Sequence, residues 1–153
     1  RRAARVIERN ARAQTQLISD LLDMARLDAG KLRLDLKPLD LVPLVETAVA
    51  GIRPAAEAKG LVVAFTWQPI EGPVLADESR LHQVFANLLG NAVKFTPPGG
   101  RLDVSVRGTG ADVEVAVADS GQGIPAEFLP RVFERFAQGD GAAARVHGGL
   151  GLG

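Results

Sequence analysis

The sequence contains no cysteine and no long apolar run. Because cysteine is absent, the chain can form neither a disulfide nor a thiolate metal site, and a reducing compartment is allowed. No apolar stretch approaches the ~18 residues of a membrane span, and no signal peptide is visible. We therefore expect a cytoplasmic segment, whose parent protein would reach a membrane only through other regions.

Net charge is also missing. The 153 residues include 18 basic and 18 acidic side chains, so the formal charge is zero. We expect no broad attraction to nucleic acid or anionic lipid, and any phosphate site must be local. Hydrophobic residues make up 46% of the chain, which supports one domain with a real core plus an attached helix.

Proline and glycine are absent from residues 2–29, where apolar side chains recur at helical spacing. Gly30 then offers a natural end for a helix. A helix this long with a narrow apolar stripe needs a surface to cover it, which is either a partner helix or the chain's own domain.

The central stretch, residues 77–100, predicts a helix of about five turns. Asp77 is the expected N-cap, and Pro97 ends any helix that has reached Thr96. At about 100° per residue, one arc of this helix is apolar and faces the core. Its members are Leu81, Val84, Phe85, Leu88, Ala92 and Phe95.

The opposite arc carries Gln83, Asn87, Asn91 and Lys94. Solvated helix faces usually carry Glu and Lys, so two asparagines in mid-helix need another reason. An asparagine oxygen is a neutral ligand suited to Mg²⁺, and Asn91 is our first candidate, with Asn87 one turn away as the second. Lys94 could then meet a phosphate. The alternative is a helix with chance surface asparagines.

A second polar cluster follows the strand predicted at residues 113–117. Asp119 is delivered to a loop in which Gly121 and Gly123 permit tight turns and close approach. Its carboxylate could accept a hydrogen bond from an exocyclic amine, while Ile124 provides an apolar wall for a ring. The alternative is an ordinary Asp-Ser-Gly turn.

The remaining patterns predict strands at residues 32–37 and 61–67, and a third at residues 102–106 in a hairpin with residues 113–117. Together these strands predict a mixed sheet. A further helix is expected to begin at Asp40, to kink at Pro54 and to stop at Gly60. A short apolar cluster, including Phe128, Phe133 and Phe136, predicts one or two helical turns.

Four segments stand in a distinctive order: residues 77–100, 119–125, 132–136 and 148–153. In order and spacing they resemble the N box, first glycine box, F box and second glycine box of sensor histidine kinases, members of the Bergerat-fold ATP-binding group. Residues 17–31 resemble the second helix of that family's dimerisation and phosphoacceptor hairpin. The resemblance covers essentially the whole chain.

The resemblance implies an α+β fold: a two-layer sandwich with a mixed sheet and helices on one face, preceded by a long dimerisation helix. It divides the chain into residues 1–30, part of the hairpin, and residues 31–153, the catalytic ATP-binding domain, ending inside the second glycine box. In the intact kinase it implies Mg²⁺-dependent transfer of the γ-phosphoryl group of ATP to a histidine, and then to a response-regulator aspartate. It also implies a homodimer formed through the complete hairpin.

The resemblance also implies roles for single residues. Asp119 would meet the adenine amino group, Phe133 and Phe136 would pack at the hinge of an ATP lid, and Arg145 would be the basic residue of that lid. The last glycines would cradle phosphates through their amides. The expected nucleotide-binding residues are Asn87, Asn91, Lys94, Asp119, Gly121, Gly123, Ile124, Phe133, Phe136, Arg145, Gly149, Gly151 and Gly153, with Asn91 as the metal ligand.

Neither histidine stands in the context of a phosphoacceptor, since His82 lies in the central helix and His147 in the lid. We therefore expect no catalytic residue in this segment, which alone should not phosphorylate itself. One alternative is a nucleotide-binding interaction module of the same fold without phosphotransfer. Another is an ATPase of the gyrase or mismatch-repair type, but these usually use a glutamate base, and position 87 is asparagine.

Overall fold

The structure, a computed structural model, describes residues 2–134. Its contacts divide the chain into two units, with the boundary between Leu34 and Asp35. The elements are α1 (Arg2–Asp28), β1 (Lys37–Leu39), α2 (Leu41–Ala58), β2 (Val62–Trp67), β3 (Val74–Ala76), α3 (Glu78–Phe95), β4 (Arg101–Thr109), β5 (Asp112–Asp119) and a 3₁₀ turn at Leu129–Arg131. Among the helices described, none is long and apolar enough to cross a membrane.

The first unit contains α1, which ends as the sequence predicts. Gly30 adopts a φ of 62°. Its N–H donates to the carbonyl oxygen of Leu27 at 3.0 Å, and the N–H of Lys31 donates to that of Arg26 at 2.8 Å. The reversal thus satisfies carbonyls that a helix end leaves without partners.

The second unit is built on a mixed sheet in the order β2-β4-β5. Strand β2 runs parallel to β4, and β4 pairs antiparallel with β5. Along β4 every second side chain is buried, so one face of the sheet is covered. Helices α2 and α3 supply that cover, with Val45, Val49 and Leu89 fully buried against Leu102 and Val104. The predicted α+β fold, mixed sheet and hairpin are confirmed.

Helix α2 begins and ends where its sequence signals predict, and the kink expected at Pro54 stays a prediction. Oδ1 of Asp40 accepts a hydrogen bond from the N–H of Val42 at 3.3 Å, which is the predicted N-cap. The helix continues through Pro54 to Ala58, and Gly60 follows at a φ of 70°. The chain therefore changes direction after α2 at Gly60.

The apolar arc predicted for α3 is partly wrong. Val84 and Leu88 are each 46% exposed, whereas Leu89, which the predicted arc does not include, is 1% exposed. Phe85 and Ala92 are buried as expected. The buried stripe therefore runs through Phe85, Leu89 and Ala92, since these positions face α2 and the sheet together.

The strand predicted at residues 32–37 is also wrong. Only Lys37–Leu39 forms a strand, pairing antiparallel with Val74–Ala76, and Leu36 remains exposed. The pairing cannot extend further because Asp77, directly after β3, begins α3. Its Oδ2 accepts the N–H of Asp35 at 2.9 Å, so a side chain replaces the next rung of the ladder. The partner strand β3 was itself not predicted.

Candidate nucleotide-binding site

The C-terminal end of α3 packs against the loop that follows β5. Gly121 is the contact point, because a Cβ built on it would lie 2.8 Å from the carbonyl oxygen of Phe95 and 2.5 Å from Oδ1 of Asp119. Real side chains do not approach so closely, so the position requires glycine. The glycine permits a close approach, as the sequence predicts, and the structure shows that the approach is between the helix and this loop.

Asp119 is the last residue of β5, and its side chain is exposed. Oδ1 accepts the N–H of Gly121 at 2.8 Å, which forms the tight turn. The next residue, Ser120, is tied to β4: its N–H donates to the carbonyl oxygen of Arg101 at 3.0 Å, and its Oγ accepts the N–H of Arg101 at 2.8 Å. Asp119 therefore presents its carboxylate to solvent from a fixed strand end.

The two residues that follow the turn keep their expected character. Gly123 has a φ of 69°, a left-handed conformation that side chains disfavour. Ile124 is about half exposed, so its apolar surface is available beside the Asp119 loop. Both predicted positions thus lie on an accessible loop.

A cleft of about 400 Å³ lies where α3 and the Asp119 loop meet, a volume within the range of small-molecule sites. Its lining residues are Lys59, Lys94, Phe95, Thr96, Pro97, Pro98, Ser120, Gly121 and Gln122. Among the residues described, this lining includes two ammonium groups and no carboxylate. The Nζ of Lys94 lies 4.9 Å from the centroid of the Phe95 ring, within cation–π range. Positive charge beside an aromatic ring suits a ligand that combines phosphate groups with a flat base.

Lys59 is a cleft residue that the sequence did not reveal. Its Nζ donates to the carbonyl oxygens of Val93 at 2.7 Å and Lys94 at 2.9 Å. These bonds join the end of α2 to the end of α3. No pattern around Lys59 predicts this contact; the only available signal is that two prolines follow α3.

Asn87 and Asn91 lie one turn apart on α3, with Asn87 half-buried and Asn91 exposed. Within residues 2–134 no group of three His, Asp or Glu side chains could hold a metal ion. An exposed amide oxygen fits Mg²⁺ that keeps waters and phosphate oxygens as its other ligands. The chemistry of Asn91 is therefore compatible with the predicted metal, although the amide can supply only one of its ligands.

The structure places Lys94 and Gly121 on the cleft, Asp119 beside Gly121 at the end of β5, and the two asparagines further back along α3. Phe133 is 97% exposed, so its ring is not packed against the core of residues 2–134, and its predicted role at the hinge of the lid stays a prediction. Five predicted residues lie outside the described residues: Phe136, Arg145, Gly149, Gly151 and Gly153.

Residues 76–153, just over half of the chain, match the family of histidine kinase-, DNA gyrase B- and HSP90-like ATPases. The chain belongs to this family. This match confirms the family that the four motifs indicate, and it covers α3, the Asp119 loop and the cleft residues between them.

Histidine kinases are also among its similar proteins. Signal transduction histidine-protein kinase BarA of Escherichia coli (strain K12) is 37% identical over 153 residues, which cover 96% of this chain and 17% of BarA. The structure of full-length ShkA in complex with AMPPNP has 36% identity and a TM-score of 0.72, covering 90% of this chain and 28% of ShkA. The structure of histidine kinase ThkA in complex with the response regulator protein TrrA has 23% identity and a TM-score of 0.68, covering 84% of this chain and 38% of that one, which shows the fold alone.

The chain spans only 12% and 17% of the first two curated relatives it matches. Because the family is one of ATPases, the ATP part of the cofactor prediction is supported. The Mg²⁺ part stays a prediction.

Proposed function

We propose that this chain is the catalytic ATP-binding part of a sensor histidine kinase. It binds Mg²⁺-ATP and presents the γ-phosphoryl group to a histidine on another segment, from which the group passes to an aspartate of a response-regulator receiver. ThkA, of the same fold, is solved in complex with the response regulator TrrA, and we extend that kind of partner to this chain.

The observation that carries the proposal is the junction at Gly121. It packs the C-terminal end of α3, whose Lys94 lines the cleft, against the loop in which the Asp119 carboxylate lies next to the cleft residue Gly121. A carboxylate accepts hydrogen bonds only, so it suits the amino group of adenine and repels the carbonyl oxygen of guanine. The ammonium of Lys94 suits the phosphates. Phosphoryl transfer depends mainly on such positioning and on neutralising charge.

We further propose that residues 1–30 are the second helix of a dimerisation hairpin. The helix exposes Ile18, Leu21 and Leu22, which together form an apolar surface. In the complete hairpin these side chains would lie inside a four-helix bundle formed by two chains. Ile18→Glu in a chain that includes the complete hairpin should shift it to monomer in sedimentation; an unchanged dimer would contradict this role.

Nucleotide selectivity tests the main proposal. The chain should bind ATP more tightly than GTP in calorimetry, and Asp119→Ala should weaken ATP binding about 10- to 100-fold, as expected when a charged hydrogen-bond partner is lost. Asp119→Asn should narrow the difference between ATP and GTP, because an amide can also donate to guanine. Asp112→Ala, at the opposite end of β5, is the matched control and should leave both affinities unchanged. Equal affinity of the original chain for ATP and GTP would refute the assignment.

The role of Asn91 is tested through the metal. Asn91→Ala should remove the Mg²⁺ dependence of ATP binding while leaving the affinity for ADP, measured without metal, unchanged, because the base contacts lie on another segment. Asn87→Ala is the comparison, since it tests the second candidate ligand. Equal losses with and without Mg²⁺ would mean that Asn91 is structural.

A further inference from the structure

The last turn of α3 is short of main-chain donors. In a continuing helix the carbonyl oxygens of Val93 and Lys94 would accept hydrogen bonds from the residues four positions later. Those residues are Pro97 and Pro98, and proline has no N–H. The sequence itself therefore leaves both carbonyls without a possible helical partner.

The carbonyl one position earlier shows how such a group is normally satisfied. The oxygen of Ala92 accepts the N–H of Thr96 at 3.1 Å and its Oγ1–H at 2.6 Å. Thr96 is completely buried, and its backbone turns into an extended conformation that ends the helix. Local residues thus close the helix at Ala92 but supply nothing for the next two carbonyls.

Lys59 supplies the missing donors. Its half-buried ammonium reaches the oxygens of Val93 and Lys94 at 2.7 and 2.9 Å. A lysine ammonium has three donors, and a positive charge at a helix C-terminus is favoured by the partial negative charge there. The side chain comes from the C-cap of α2, so one residue closes α2 and holds the end of α3.

We propose that Lys59 is a positioning residue for the nucleotide, acting through Lys94. By replacing the two absent N–H groups it fixes the last turn of α3, and with it the ammonium of Lys94 at the cleft. Both lysines line this cleft, so Lys59 also adds positive charge where phosphates would lie. This inference rests on the proposed function, because it assumes that the cleft accepts a nucleotide.

The test compares Lys59→Met with Lys59→Arg. Methionine keeps an unbranched side chain but cannot donate, whereas arginine keeps both the charge and the donors. Lys59→Met should weaken ATP binding about tenfold, the effect expected from losing charge-assisted hydrogen bonds, and Lys59→Arg should restore most of it. Lys31→Met, at the exposed end of α1, is the matched control and should bind ATP as the original chain does.

Adenosine separates positioning from general destabilisation. It lacks phosphates, so its affinity should be nearly the same in the original chain and in Lys59→Met. A merely structural loss would weaken ATP and adenosine alike, and that result would overturn the proposal. Failure of arginine to restore ATP binding would overturn it too.

Hydrogen exchange tests the claim that Lys59 holds the end of α3 separately from the proposed nucleotide-binding function. In Lys59→Met the amide of Thr96, which closes the last turn, should exchange faster than in the original chain. If the original chain binds neither ATP nor adenosine, the proposed function fails, and the nucleotide half of this inference fails with it. Unchanged exchange at Thr96 would overturn the claim that Lys59 holds the helix end, whatever the nucleotide result.

Discussion

The two ends of α3 are held in opposite ways. At the N-terminus the carboxylate of Asp77 accepts three hydrogen bonds. Its Oδ1 accepts the Oγ–H of Ser79 at 2.7 Å and the N–H of Arg80 at 3.2 Å, and its Oδ2 accepts the N–H of Asp35 at 2.9 Å. At the C-terminus the support arrives from another helix, through Lys59. At the N-terminal end a half-buried carboxylate accepts hydrogen bonds from several donors. At the C-terminal end the ammonium of Lys59, which lines the cleft, donates to two carbonyl oxygens.

This difference has a functional consequence. Carboxylate at a helix N-terminus and ammonium at its C-terminus both complement the helix dipole, so each end is electrostatically favourable. Only the C-terminal end lines the cleft, however. Damage at Asp77 should therefore lower stability without changing nucleotide selectivity, whereas damage near Lys94 should change binding as well.

The largest loss of stability should come from truncating a buried side chain in the middle of α3, because the packing there supports both ends of the helix. Leu89, in the middle of α3, is fully buried, whereas its neighbour Leu88 is about half exposed. Leu89→Ala should lower the free energy of unfolding by about 3 kcal/mol, as expected for a large-to-small change in a packed core. Leu88→Ala is the matched control and should cost well under half of that. Denaturant unfolding measures both, and equal costs would mean that the buried stripe has been wrongly placed.

These neighbouring leucines also show what the sequence could predict. Periodicity located the helix, while Asp77 and Pro97 indicated its N-cap and the region of its end, because those signals are local. It could not choose between Leu88 and Leu89, which lie about 100° apart on either side of the stripe through Phe85 and Ala92. That choice depends on where α2 and β4 lie, which is a property of the tertiary fold.

The residues of the candidate site also divide into those that local sequence patterns predict and those that depend on the tertiary fold. Asp119 and Gly121 were predictable because a carboxylate at a strand end followed by glycines is a local pattern. Lys59 was not, since its two partners lie 34 and 35 residues away in the sequence. The alternating leucines of residues 32–36 misled the prediction, because a strand also needs a partner, and Asp77 ends the available one.

The C-terminal end can be disturbed from the loop side with Gly121→Ala. The added Cβ would collide with the Phe95 carbonyl and the Asp119 carboxylate, so helix and loop must separate. We expect a loss of about 2 kcal/mol in stability, typical of overpacking, together with weaker ATP binding. The matched control is Gly90→Ala, on an exposed face of α3 with no atom near the new Cβ. That change should stabilise the helix by about 0.5 to 1 kcal/mol. Thermal unfolding with parallel ATP titrations checks both, and a neutral Gly121→Ala would mean that the junction is loose.

The smallest effect should come from the charge at the N-terminal end, and it should depend on pH. The hydrogen bond from the backbone N–H of Asp35, followed by those from Ser79 and Arg80, lowers the pKa of Asp77 from 3.8 to about 2. A carboxyl group whose pKa is lower in the folded chain stabilises the fold at a pH above its unfolded value, and this contribution is lost as the pH falls through 3.8 toward about 2.

The variant Asp77→Asn tests this contribution, because it keeps an N-cap acceptor but removes the charge. Its Tm should lie a few degrees below that of the original chain near about pH 6, and the two Tm values should converge as the pH falls through the folded pKa.

Asp40→Asn, at the corresponding cap of α2, is the control. Its Tm should differ less from that of the original chain, because within residues 2–134 the Asp40 carboxylate accepts a hydrogen bond only from Val42, inside its own helix. A Tm difference for Asp77→Asn that stays constant from neutral to acid pH would show that the charge of Asp77 does not stabilise this end of α3, and the electrostatic contrast between the two ends would then be wrong.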